Sequence, residues 1–364
     1  MSKVFKIEKM HSKLDALITQ GIQDGVFPGA ALWIGWHGET VKCAAYGKTA
    51  DKMYEAYELV PATSKTIYDL ASLTKVVATT TAVLQLREQK VLNLIDPIAK
   101  YIPQFGSDQQ KATITIQHLL THTSGLPNAI RLFEHYHGEQ QIIEGICHQE
   151  LAFVPGTSSL YTDLGFILLG EIVRVISSLR LDEYTYRYVF TPLEMTDTMF
   201  TPFESLKERI APTEYVDWRG GVIHGEVHDE NAWAMGGIAG HAGLFSTVED
   251  LARFCTAILN QGMYKGKSIL NPRSISDMES IYFSNPEESY GLGWVINAPG
   301  FMGDLASDGT LGHTGFTGTS ILLNPMHHLA VVFLSNRVYP TREGPPLNPY
   351  RRRIANIAAE FCQC

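Results

Sequence analysis

Tyr68-Asp69-Leu70-Ala71-Ser72-Leu73-Thr74-Lys75, followed by the helix-forming run Val76 to Gln89, decides how this chain is read. Residues three apart on a helix share a face, so the Lys75 amine can reach the Ser72 hydroxyl and take its proton. A serine nucleophile with a lysine base needs this spacing. Unpaired N–H groups in the first helical turn, next to Ser72, can also face an oxygen that turns negative when a carbonyl is attacked. Taken alone, the quartet reads more readily as Ser72 capping a helix above a solvated Lys75. The rest of the chain reverses that reading.

A length of 364 residues allows two domains or one large one, and 45% apolar residues suffice for a substantial core. The net charge is −9, with basic residues scattered apart from Arg351-Arg352-Arg353. An acidic chain disfavours nucleic acid and anionic membranes as partners, and the arginine run reads as a solvated helix face. No apolar segment is long enough to span a bilayer, and Met1 to Lys9 lack the apolar core of a secretory signal. The chain therefore reads as soluble and cytoplasmic, although a protein with its signal peptide removed would begin the same way. Five cysteines (Cys43, Cys147, Cys255, Cys362 and Cys364) without a Cys-x-x-Cys suit free thiols in a reducing compartment.

Working outward, Met10, Leu14, Leu17 and Ile18 recur at helical spacing. Strands are predicted over 30–36 and 40–46 as a hairpin around His37-Gly38-Glu39, and over 319–325 and 329–335, with a helix from Pro349 to Cys362. Between them, helices are predicted over 76–89, 116–122, 140–148, 162–178, 181–189 and 248–260. The fold class is α/β of the α+β kind: an antiparallel sheet built from both termini and flanked by helices, with an inserted all-helical domain. The expected division is residues 1–75 with 285–364 for the α/β domain and 76–284 for the helical one, with the active site between them. Glycines cluster at 236–243 and 312–318, where backbone can approach a ligand closely.

Tyr161-Thr162-Asp163 stands at the entrance of a predicted helix, where a phenol could lie beside Lys75; alone it reads as a packed tyrosine and a capping aspartate. Another Tyr-x-Asp occurs at Tyr215 to Asp217. His313-Thr314-Gly315 precedes a predicted strand, and the small Gly315 leaves room for substrate along the strand edge. Alone it reads as a tight turn. In this order, Ser72-x-x-Lys75, Tyr161-x-Asp163 and His313-Thr314-Gly315 resemble the serine β-lactamase and penicillin-binding-protein superfamily, in its class C-like esterase and peptidase branch. Leu119-Leu120-Thr121-His122-Thr123-Ser124-Gly125-Leu126-Pro127 and Leu164 to Gly170 resemble that branch as well.

The resemblance implies Ser72 as acylated nucleophile, Lys75 as its base and Tyr161 as the proton shuttle. It implies an oxyanion hole from the backbone N–H groups of Ser72 and Phe316, with Asp163, His313, Thr314, Gly315 and Phe316 contacting substrate. A buried Lys75 is expected to have a lowered pKa, unless Asp163 pairs with it and raises it. His313 stands where many β-lactamases carry lysine and Asp163 where relatives carry asparagine, so the reading turns away from β-lactams toward esters or peptide-like amides. The segments 227–232 and 236–243 are expected to line the cleft without catalytic roles. No cofactor is called for: His118 and His122 are an i, i+4 pair, but a zinc hydrolase motif needs a glutamate they lack. The expected partner is a small-molecule substrate, and the oligomeric state stays open. The leading reading is an acyl-enzyme hydrolase of small esters or amides. A true β-lactamase or carboxypeptidase and a non-catalytic ligand sensor are the alternatives.

Overall fold

The computed structural model describes residues 3–50, 60–286, 288–307 and 309–362; Cys364 lies outside them. One eight-stranded sheet organises the fold. Its order is Phe283–Ser284, Ser289–Tyr290, Val295–Ile296, Leu311–Thr314, Ser320–Asn324, Leu329–Ser335, Gly29–Trp36 and Glu39–Gly47, and every neighbour is antiparallel. The two ends of the chain meet between the sheet's sixth and seventh strands, where Ala30 pairs with Ser335 and Trp36 with Leu329.

Strand Gly29–Trp36 is almost wholly buried because both its faces are covered. Ala30, Leu32 and Ile34 point toward helices Lys3–Gln23 and Asn348–Cys362, while Ala31 and Trp33 point into the main core. Truncating one of the large side chains there to alanine would cost about 2–5 kcal/mol. Helix Val248–Leu259 packs on the main-core side of the sheet. It and strand Phe283–Ser284 therefore sit with the sheet, although the sequence assigned both to the helical insertion. A short helix carries no mark of whether its apolar face meets a sheet or another helix.

Residues 76–284 are not helical throughout. A three-stranded sheet joins Tyr68–Asp69, Leu244–Ser246 and Met199–Phe200, and two-residue hairpins lie at 215–222 and 263–268. Strands of two residues are too short to show alternation. The helices match the predicted spans closely: Ile116–Leu120, Glu139–Cys147, Leu164–Ser177 and Val248–Leu259. The predicted helix over 76–89 begins as a π-helical stretch, Lys75–Thr80, before Thr81–Glu88.

No helix among the described residues is long and apolar enough to cross a membrane. Cys43, Cys147, Cys255 and Cys362 are free thiols.

Candidate active site

Two helix entrances bring the central groups together. Lys75–Glu88 and Leu164–Ser177 pack within one core, and the latter is apolar nearly all round (Leu-Gly-Phe-Ile-Leu-Leu-Gly), as a buried helix must be. Ser72 precedes the first and Tyr161 and Asp163 the second. Gly240 touches this second helix, where a Cβ would fall 1.9 Å from the Phe166 carbonyl oxygen. That close approach to a helix, rather than to a ligand, is one use of the glycine-rich 236–243 segment, and it delivers the His241 carbonyl to Lys75.

Ser72 Oγ accepts from Lys75 Nζ at 2.8 Å and from Tyr161 OH at 2.9 Å. Lys75 Nζ also donates to Asp163 Oδ1 at 2.6 Å and to the His241 carbonyl at 3.1 Å. The lysine is fully buried, 5.2 Å from the centre of the Tyr161 ring. Asp163 stands at the cap position of its helix yet makes no capping bond, and its carboxylate serves Lys75 instead.

The turn before Ser72 is strained and tightly held. Ala71 has φ +47°, unusual outside glycine. Its N–H donates to Asp69 Oδ1 at 2.8 Å, and buried Asp69 also accepts the His228 N–H at 2.7 Å. Thr317 and Thr319 hydroxyls donate to the Asp69 and Leu70 carbonyls, tying the Gly315-Phe316 turn to the same frame. Asp69 is a site residue that the sequence reading missed, though an aspartate two residues before a turn N–H is a recognisable Asx pattern. The expected row of unpaired first-turn N–H groups is not there: those of Leu73, Thr74 and Lys75 are taken by the carbonyls of Leu70, Ala71 and Ser72. The N–H groups of Ser72 and Phe316 have no hydrogen-bond partner among the described residues.

Burial pushes the Lys75 amine down, but the Asp163 carboxylate and the Tyr161 phenol outweigh it and leave its pKa raised. Of the two outcomes open to the sequence, pairing with Asp163 is the one found; Asp163 holds Lys75 and also lines the cleft. The Tyr161 phenol is pushed up by burial, against the pull of Lys75.

His313 needs a larger correction. It lies within strand Leu311–Thr314 on the same face as core residue Leu311, is 2% exposed, and forms no part of the cleft wall. Burial and the neighbouring Lys75 lower its pKa to about 3, so the imidazole is neutral. Its Nδ1 donates to the Thr314 carbonyl at 2.9 Å. Gly315 is corrected too: a Cβ there would lie 2.0 Å from Thr319 Oγ1 and 2.4 Å from the Leu70 carbonyl oxygen, so its smallness serves the approach of the Ser72 turn. Thr314, Gly315 and Phe316 all line the cleft, as expected.

The cleft has a volume of about 880 Å³ and is lined by Ser72, Tyr161, Asp163 and His228 to Asn231. Arg337, Arg342 and Arg351 line it as well. Arg351 is buried, not the solvated residue expected, while Arg352 and Arg353 are exposed. Its guanidinium donates to Asn348 Oδ1 and to the Gly315 and Thr319 carbonyls at 2.8, 3.1 and 2.7 Å. Arg337 likewise donates to carbonyls, of Arg342 and Gly344. Neither forms an ion pair with a carboxylate among the described residues, whereas Arg342 is held by Glu214 and Glu230. Burial and Arg337 lower the Arg351 pKa to about 9, which leaves it charged at neutral pH.

His118 and His122 do not form a metal pair. The helix ends at Leu120; His118 Nδ1 accepts the Thr115 N–H, and His122 Nδ1 accepts the Thr162 N–H while its ring lies against Tyr161. Asp163, Asp229 and His241 are close enough to share a cation, but Lys75 occupies the first and the other two bond each other at 2.7 Å.

A sheet between helical layers, with a serine hydroxyl held by a buried lysine and a tyrosine, is the arrangement of serine hydrolases of the β-lactamase and penicillin-binding-protein type. The family model described as Beta-lactamase matches residues 14–356, and the chain belongs to that family. It is 35% identical over 379 residues to a provisionally named D-alanyl-D-alanine carboxypeptidase of Escherichia coli (strain K12), covering 95% of this chain and 86% of that one. It is 33% identical over 379 residues to an N-acetylmuramyl-L-alanine amidase of Bacillus subtilis (strain 168), covering 95% and 85%. Among solved structures, the octameric penicillin-binding protein homologue from Pyrococcus abyssi superposes with a TM-score of 0.75 at 25% identity, covering 96% of this chain and 77% of that one.

Proposed function

We propose that the protein hydrolyses a small peptide or amide bond through an acyl-enzyme on Ser72, and that its substrate carries a carboxylate near that bond. The observation that carries the hydrolase reading is the Ser72 hydroxyl held between Lys75 Nζ and Tyr161 OH. At rest Lys75 is an ammonium paired with Asp163. Substrate covering the cleft excludes water from the Lys75–Asp163 ion pair and favours its neutral form, in which the Lys75 proton has passed to the carboxylate. The freed amine accepts the Ser72 proton as Oγ bonds to the carbonyl carbon, and the oxyanion falls to the N–H groups of Ser72 and Phe316. Tyr161 protonates the leaving nitrogen as its bond to carbon breaks, and is reprotonated from Lys75. Water then attacks the ester by the reverse relay.

Arg337 and Arg351, without carboxylate partners, support an anionic substrate group, since an arginine fork binds a carboxylate well. They supply the charge that His313 does not. The two relatives are named for peptidase and amidase activity, which supports an amide over an ester as the natural bond. The test compares a D-Ala-D-Ala-terminated peptide, the same peptide with its terminus amidated, and p-nitrophenyl acetate, with intact-mass detection of a Ser72 adduct. The free-carboxylate peptide should be preferred over its amide at least about tenfold in kcat/KM. Equal rates for the two peptides would remove the carboxylate assignment, and hydrolysis surviving Ser72→Ala would remove the nucleophile.

A further inference from the structure

We propose that Glu214 is a positioning residue that sets the Phe316 half of the oxyanion site; this rests on the acyl-enzyme reading above. Glu214 belongs to no motif in the sequence and is 6% exposed. Its Oε1 accepts the Arg342 backbone N–H at 2.9 Å. Its Oε2 accepts Arg342 Nε at 2.6 Å and His228 Nε2 at 2.9 Å. Both side chains so held rest against the Phe316 ring: the His228 imidazole nearly parallel to it at 5.6 Å, the Arg342 guanidinium 5.5 Å from its centre. Phe316 is half exposed on the cleft, so its ring has no enclosing core to fix it.

The same assembly reaches the other half of the site. The His228 backbone N–H donates to Asp69, which fixes the Ala71 turn beneath Ser72. Glu230 holds the far end of Arg342 at 2.7 Å, so the arginine is clasped by two carboxylates and cannot easily swing away. The Ser72 half is thus held by Asp69 through backbone N–H groups, and the effect of the Glu214 carboxylate falls on the Phe316 half. Displacing an oxyanion donor by about an ångström is enough to lower turnover up to about 100-fold without touching substrate affinity.

A double-mutant cycle on the full chain tests this. Glu214→Gln keeps the size and loses the charge that both partners need. It should lower kcat for p-nitrophenyl acetate about 10- to 100-fold with KM changed less than about threefold, and weaken a boronic acid transition-state analogue by the same factor as kcat. In a Phe316→Ala background the ring to be positioned is gone, so Glu214→Gln should add less than about threefold. If Glu214→Gln does not fold, Arg342→Lys replaces it in the same cycle. Losses that multiply in full in the Phe316→Ala background, or that appear in KM alone, overturn the proposal while leaving the hydrolase intact. Absence of Ser72-dependent turnover in the wild type overturns both.

Discussion

Lys75 and Arg351 are both buried cations at the edge of one cleft, yet they are treated in opposite ways. Lys75 has a carboxylate 2.6 Å from its nitrogen; Arg351 has only carbonyls and an asparagine. A buried charge paired with an opposite charge is neutralised within the protein, and its proton can move along that pair. A buried guanidinium held by neutral groups keeps an unspent charge, which a ligand anion can use. Under the proposed function, the contrast separates the part of the cleft that does chemistry from the part that selects the substrate.

Removing the chemical part should have the largest effect. Ser72→Ala and Lys75→Ala should each lower kcat by on the order of 10⁴-fold or more, and the double variant should lose little further, because nucleophile and base act as a unit. Turnover of p-nitrophenyl acetate by the purified variants measures this. Tyr161→Phe keeps the ring against His122 and removes the proton donor, so kcat should fall about 10²-fold with an unchanged melting temperature. An unchanged rate would make Tyr161 a packing residue.

Asp163→Asn sharpens the comparison by making Lys75 resemble Arg351, a buried cation without a carboxylate. With the opposing charge gone, burial dominates and the amine pKa falls. The rising limb of the kcat/KM pH profile should move to lower pH. A limb that stays in place would show that Lys75 does not govern it. On the selecting side, Arg351→Ala should raise KM for a carboxylate-terminated peptide about 10-fold or more while changing the rate with p-nitrophenyl acetate much less, and Arg337→Ala should act in the same direction. Equal losses on both substrates would instead mark Arg351 as a brace for Gly315 and Thr319.

Sequence patterns reveal this site unevenly. The Ser72-Lys75 pair is local and has helical spacing, so it was legible by itself, whereas Tyr161-x-Asp163 precedes its helix and stood out only through its order with the other motifs. The sheet order was partly legible, because long strands such as Gly29–Trp36 and Leu329–Ser335 carry clear apolar runs, whereas Ser289–Tyr290 and Val295–Ile296 are too short to carry any. His313 was misread because a triplet does not say which face of a strand points outward. Arg351 was misread because two exposed arginines follow it, and only the packing of helix Asn348–Cys362 against the sheet separates them. Asp69 and Glu214 act through contacts to residues distant in the chain, which periodicity cannot show.

His313 offers the smallest and most specific test, one of stability. In the folded protein it takes up a proton only near pH 3, whereas the unfolded chain does so near the ordinary value of 6.5. Between those values the unfolded state binds more protons, so the contribution of His313 to stability is complete above about pH 6.5 and is lost progressively as the pH falls toward 3. His313→Asn removes the titration and can keep a donor for the Thr314 carbonyl, the bond that Nδ1 makes now. The variant should be less stable than the wild type at pH 7.5, through the poorer filling of a buried site. Its melting temperature should nevertheless fall less between pH 7 and pH 5 than that of the wild type. His122, also buried with its pKa held low by burial, by Lys75 and by His313, titrates in the same direction, so His122→Asn is measured beside His313→Asn to separate the two. Parallel melting curves across that range would place His313 in contact with water or with an anion, and would return it to the cleft.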